Sequence, residues 1–160
     1  MEKLTGLRFL YIGKSEISDL GPLAGLTDLE SITIKGGTVT DLAPLGGLAK
    51  LEWLRLQNNQ VADMAPVMGL KKLVMLDLNQ NRVRDLAPVK SLQSSSSRYL
   101  DGNQITDLKP LVEAVRPDAA KPKGLVPFRS VSLRNNPLSA ATKTTDVPEL
   151  QKLIGILAVN

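Results

Sequence analysis

One period governs this sequence. Leu4, Leu26, Leu48, Leu70 and Leu92 stand 22 residues apart, as do Asp19, Asp41, Asp63, Asp85 and Asp107, and Pro22, Pro44, Pro66, Pro88 and Pro110. Three columns sharing one step exclude coincidence. A fixed period between 20 and 50 residues marks a solenoid, in which each unit buries its apolar stripe only by stacking on its neighbours.

The unit reads L-x-x-L-x-x-L-x-L-x-x-N-x-I/V-x-D-L-x-P-L-x-x. In the copy from Leu70 to Ser91, Met75 to Leu78 alternate and predict a short strand with Leu76 and Leu78 inward. Asn81 follows, and its amide can satisfy backbone groups left free where the chain turns; stacked copies would make an amide ladder. Val83 returns to the core, Asp85 caps a tight turn and Pro88 fixes φ on the outer side. The unit resembles the leucine-rich repeat in its 22-residue internalin-like class, whose N-x-I-x-D-L-x-P-L motif is matched by Asn103, Ile105, Asp107, Leu108, Pro110 and Leu111. The resemblance implies an α/β solenoid: a curved parallel sheet on the concave face, short 3₁₀ turns on the convex face and a capping helix at the C-terminus. Relatives of this class are bacterial and often bind host or cell-surface proteins.

Composition excludes several chemistries. The 160 residues include no cysteine and no histidine, which removes disulfides, thiol catalysis, Ser-His pairs and histidine metal sites together. No apolar run is long enough to span a membrane. Met1 to Leu7 enter a repeat at once, with no signal-peptide core and no N-terminal cap. The chain as it stands reads as cytoplasmic, and as secreted or cell-surface if it is a fragment of a longer protein.

Taken in order, the repeats depart from the template at a few places. Ser15 and Gly37 occupy the first two ladder slots, so the ladder should start at Asn59 and run through Asn81 and Asn103 to Asn136, with a looser turn at Gly36-Gly37. The copy opening at Leu92 keeps its spacing but puts Ser95 and Arg98 in two leucine slots. A lone buried guanidinium is costly, so Arg98 should meet an acid or reach water. Leu125 opens the next copy after an insertion near 112–124, where Leu111 to Arg116 predict a short helix stopped by Pro117, followed by a basic convex loop with Lys121 and Lys123. Phe128 falls in a core slot of that last copy. Beyond Leu138 the period ends. Asp146 and Glu149 have the spacing of a capping box, and Leu150, Leu153, Ile154 and Leu157 fall on one helical face. The Asn136-Pro137-Leu138-Ser139 and Pro148-x-Leu150 motifs resemble the ends of internalin-like chains. The expected organisation is therefore repeats over 1–138, about six coils, and a cap over 139–160.

Function is sought on the outward positions of the strands. Of the five aromatics, Phe9, Tyr11, Trp53 and Tyr99 all map there. Aromatics and arginine anchor protein interfaces. Phe9 and Tyr11 fit equally well as shields for the first coil; Trp53 beside Arg55 in mid-sheet does not. The candidate partner-binding residues are Phe9, Tyr11, Trp53, Arg55, Met75, Asp77, Tyr99 and Asp101. The repeated aspartates are too far apart to converge on a metal and each is committed to its own turn. The Gly-Gly pairs lack the lysine of a phosphate loop. On the exposed strand positions six basic residues face four acidic ones, too mixed for tracking phosphates.

These features describe a non-catalytic protein-binding module with no cofactor, no metal, no nucleic-acid partner and no membrane span. A monomer is expected, although an open first coil allows self-association. The resemblance adds host interaction as an expected role. Two other readings stay open: an intracellular regulator or immunity-type inhibitor of one enzyme, and the repeat domain of a larger enzyme or effector.

Overall fold

The computed structural model describes residues 6–14, 16–92, 96–116 and 128–160, and only the backbone of Ser96 and Phe128. The expectations for the first five residues, Ser15, Ser95, Pro117, Lys121, Lys123, Leu125 and the Phe128 side chain lie outside the described residues. Seven parallel strands form one sheet in chain order among the described residues. They are β1 (Phe9–Ile12), β2 (Ser31–Ile34), β3 (Trp53–Arg55), β4 (Met75–Asp77), β5 (Ser96–Tyr99), β6 (Phe128–Ser132) and β7 (Ile156–Ala158). The register advances by one repeat per strand, so Ser31 pairs with Trp53, Trp53 with Met75 and Met75 with Ser97. It shifts between β5 and β6, where Ser96 pairs with Phe128 but Ser97 with Ser130.

Each template position becomes a column of the core. Ile32, Leu54 and Leu76 stack in one column, Ile34, Leu56 and Leu78 in the next, and Val39, Val61, Val83 and Ile105 in a third, all with no solvent exposure. Burying a side chain of this size contributes ~1.5–3 kcal/mol. The equivalent first-coil residues, Leu10, Ile12 and Ile17, are only half-buried, because that coil is covered from one side.

The amide ladder joins the coils. Asn81 Nδ2 donates to Leu78 O in its own coil at 3.0 Å and to Leu56 O in the preceding one at 2.9 Å, and its Oδ1 accepts from Val61 N at 2.9 Å. Asn59, Asn103 and Asn136 repeat this pattern. From the second coil on, the residue before the ladder slot is left-handed: Gly36, Asn58, Gln80, Gly102 and Asn135 have φ between 55° and 71°. That turn is a column of its own, and the pairs Asn58-Asn59 and Asn135-Asn136 are its visible trace, since asparagine tolerates this conformation better than most residues.

On the convex side, 3₁₀ turns among the described residues occupy Gly21–Leu23, Ala43–Leu45, Ala65–Gly69 and Ala87–Ser91. Each starts two residues after an aspartate whose Oδ1 accepts the backbone N–H at 2.7 Å, as Asp63 does from Ala65. In the fifth coil Asp107 makes the same bond to Lys109, but the insertion lengthens the turn into α1 (Lys109–Val115). Leu111, Val112 and Val115 give it a buried face.

One sequence expectation narrows and another changes. Arg98 does not reach water: it fills the leucine slot, 1 % exposed, paired in register with Leu76 and Val131. Its Nη1 donates to Ser97 O at 3.1 Å and Val74 O at 3.5 Å. Burial pushes the guanidinium down to about 9, which leaves it charged at neutral pH. The strand register, fixed by inward neighbours on both sides, overrides the preference of one cation for solvent.

The C-terminal helix also starts earlier. α2 spans Ala140–Leu153, capped by Ser139, whose Oγ accepts from Thr142 N at 3.1 Å. Asp146 and Pro148 therefore lie inside the helix rather than at its start. Pro148 is exposed and lacks only its own N–H bond. Leu157 is not on the helix. Gly155, where an added Cβ would sit 3.0 Å from Arg129 O, lets the chain close on β6, and Leu157 pairs with Val131 in β7.

Asn81→Ala should cost ~2–4 kcal/mol in urea unfolding, because it strands buried groups of two coils, whereas Asp63→Ala should cost ~1 kcal/mol for one exposed bond.

Candidate functional site

The outward side chains of the strands line up by register. One row runs Phe9, Ser31, Trp53, Met75, Ser97 and Ser130; the next runs Tyr11, Thr33, Arg55, Asp77, Tyr99 and Ser132. Neighbouring members of a row sit one strand spacing apart, ~4.8 Å. Trp53 is therefore beside Met75, and Arg55, Asp77 and Tyr99 are consecutive. Phe9 and Tyr11 are 58 % and 72 % exposed, while Trp53, Arg55, Met75, Tyr99 and Asp101 are half-buried. Arg8 lies over the Phe9 ring, 5.4 Å from its centre, and forms a two-point ion pair with Glu30 at 2.8 Å. The Arg8 guanidinium holds the Glu30 carboxyl below its ordinary value.

The two candidate aspartates are less available than their outward positions suggested. Asp77 is only 8 % exposed. Its Oδ2 accepts from Gln57 Nε2 and its Oδ1 from Asn79 N at 3.1 Å. Asp101 Oδ1 accepts from Ser132 Oγ at 2.6 Å and from Arg134 N at 2.8 Å, and Asn79 Oδ1 accepts from Asp101 N at 2.7 Å. All of these but the Asp77–Asn79 bond cross between coils, so the C-terminal edge of the sheet carries a second polar seam. Sequence reading missed Gln57 and Asn79 as its members; they share the repeat position of Asp101, and that was the available signal. In the middle row, side chains are flanked on both sides, which also buries Thr33 and Ser132.

Burial pushes the Asp77 carboxyl up, against the opposing effects of the Asn79 N–H, the Gln57 amide and the Lys35 and Arg55 charges. The folded state then binds this proton more tightly than the unfolded chain. The stability carried by this group is accordingly lost as pH rises from the unfolded carboxylate value through the raised folded one. Gln57 Oε1 is buried with no hydrogen-bond partner among the described residues. Asp77→Asn removes the buried charge while the side-chain oxygen can still accept from Asn79 N. The variant should have a higher Tm than wild type at neutral pH, and thermal melts should show the gap closing as acid protonates Asp77.

A family model described as leucine rich repeats, in two copies, matches residues 49–91. No curated protein sequence matches the chain. Among solved structures, an internalin C2 from Listeria monocytogenes superposes with a TM-score of 0.69 at 32 % identity, covering 81 % of this chain and 53 % of that one. A second internalin from the same species gives 0.68 at 24 % identity over 98 % and 50 %. A leucine-rich-repeat protein of Leptospira interrogans shares the fold, with a TM-score of 0.66 at 21 % identity over 98 % and 44 %. The chain spans about half the length of the two internalins. Repeat motif, coil geometry and these neighbours together make the chain a leucine-rich-repeat protein with internalin-like repeats.

Proposed function

We propose that the chain is a non-catalytic module that docks a protein partner on the concave sheet face, with Trp53, Arg55, Met75 and Tyr99 at the centre and Phe9 and Tyr11 at one end. The leucine-rich-repeat fold is generally a protein-interaction module, and proteins built on it are typically non-enzymatic scaffolds. The observation that carries the finer reading is the register: Trp53 and Met75 are neighbours in one row, and Arg55 and Tyr99 flank Asp77 in the next. These are the residue types that dominate interface energetics. They stand on strands locked by the ladder beneath, so little ordering entropy is lost on docking. Asp77 and Asp101, tied into the seam, act here by holding the surface in shape. The likeness to internalins directs the search for partners to host-cell proteins as well as to the source cell.

The test is a crosslinked pull-down from both lysates. Wild type runs beside a Trp53→Ala/Tyr99→Ala variant of unchanged circular dichroism, and each captured protein is then purified and titrated. The expected result is capture by wild type alone, with affinity reduced at least ~30-fold in the double variant, since each anchor is worth ~1–2 kcal/mol or more. Equal binding by both proteins would remove the site from the concave face. A captured enzyme that loses activity on binding would assign the chain an inhibitory role.

A further inference from the structure

Charge on the concave side is sorted along the strand direction in the first three coils. Glu30 and Glu52 lie just before β2 and β3, and Glu30 is already paired with Arg8. Lys14, Lys35 and Arg55 lie at or beyond the strands' C-terminal ends. Among the described residues none of these three cations is in a salt bridge. Tyr11, Lys14 and Lys35 line one open depression, in which Glu16 is the carboxylate among the lining residues. The carboxylates farther along this edge differ in kind: Asp77 and Asp101 are bonded within the seam. The edge of coils 1–3 thus presents outward positive charge beside two large aromatics, Tyr11 and Trp53.

We propose that this edge receives an acidic segment of the protein partner, its carboxylates over Lys14, Lys35 and Arg55 and its apolar side chains against Tyr11 and Trp53. The proposal rests on the concave-face reading above and adds the chemistry of what docks there. The spacing suits an extended chain laid across the strands: three of its residues advance ~10 Å, close to the two strand spacings between coil 1 and coil 3. Glu52, the carboxylate at the opposite edge that is not paired as Glu30 is with Arg8, repels such a segment and so favours the side it takes. Past coil 3 the edge turns polar and self-satisfied, which confines the contact to the first half of the sheet.

A displayed random-peptide library panned against the whole chain tests this, with selected sequences resynthesised with a fluorescent label and measured by anisotropy. The expected outcome is enrichment of Asp and Glu among the binders. Lys35→Gln/Arg55→Gln should weaken them on the order of tenfold at low salt and flatten the salt dependence, while Glu52→Gln leaves binding equal or tighter. Neutral or basic binders, or no change in the Lys35→Gln/Arg55→Gln variant, overturn the proposal. If binding then still falls in Trp53→Ala/Tyr99→Ala, the concave-face reading survives alone; if neither variant matters, both fail. A library that yields no binder also overturns the acidic segment, leaving the concave face to the pull-down. A single-stranded oligonucleotide that binds as tightly as the peptides would reassign the edge to polyanions in general.

Discussion

The asparagine amide is the interaction on which the coil geometry depends. One side chain bonds its own coil and the coil before it, accepting from one buried N–H and donating to buried carbonyls in both. A coil must reverse direction inside the protein, where water cannot satisfy the turning backbone, and an unpaired buried group costs ~1–3 kcal/mol. With those groups matched, leucines can stack at full burial and the strands keep their in-register spacing. The outward rows inherit their order from this: Trp53 is beside Met75 because Leu54 is beside Leu76.

Polar groups on the two edges of the sheet do different work. The convex aspartates each bond a backbone N–H two residues on and start a turn. The concave aspartates Asp77 and Asp101 link coils through Gln57, Asn79, Ser132 and Arg134. Acidic residues thus recur on both sides, exposed at the convex turns and drawn into the seam on the concave side. Lys14, Lys35 and Arg55, in contrast, form no salt bridge among the described residues and leave the C-terminal edge of coils 1–3 outwardly basic.

Most of the fold was legible because a 22-residue period reports stacking directly. The ladder from Asn59 to Asn136, the aspartate turns and the inward leucine columns all follow from it. What escaped lies where tertiary neighbours override local signals. Ser139 outcompeted Asp146 as a cap, and Leu157, in phase with a helix, was recruited to a strand by the open edge of β6. Arg98 entered the core because its slot in the register was fixed from both sides. For the candidate site, the rows and their aromatics were readable from alternation alone. The low exposure of Asp77 was not, because it depends on Gln57 reaching over from the neighbouring coil.

Gly37 leaves the ladder without an amide between the first two coils, and the apolar residues of the first coil are only half covered. In a one-dimensional stack the junction that lacks its rung opens most readily, so amide exchange is faster in β1 and β2 than in β3 and β4. The loosest coils are also those that carry Tyr11, Lys14 and Lys35. A ligand laid across them binds the closed stack and not the frayed one, and would replace from outside the rung that the glycine omits.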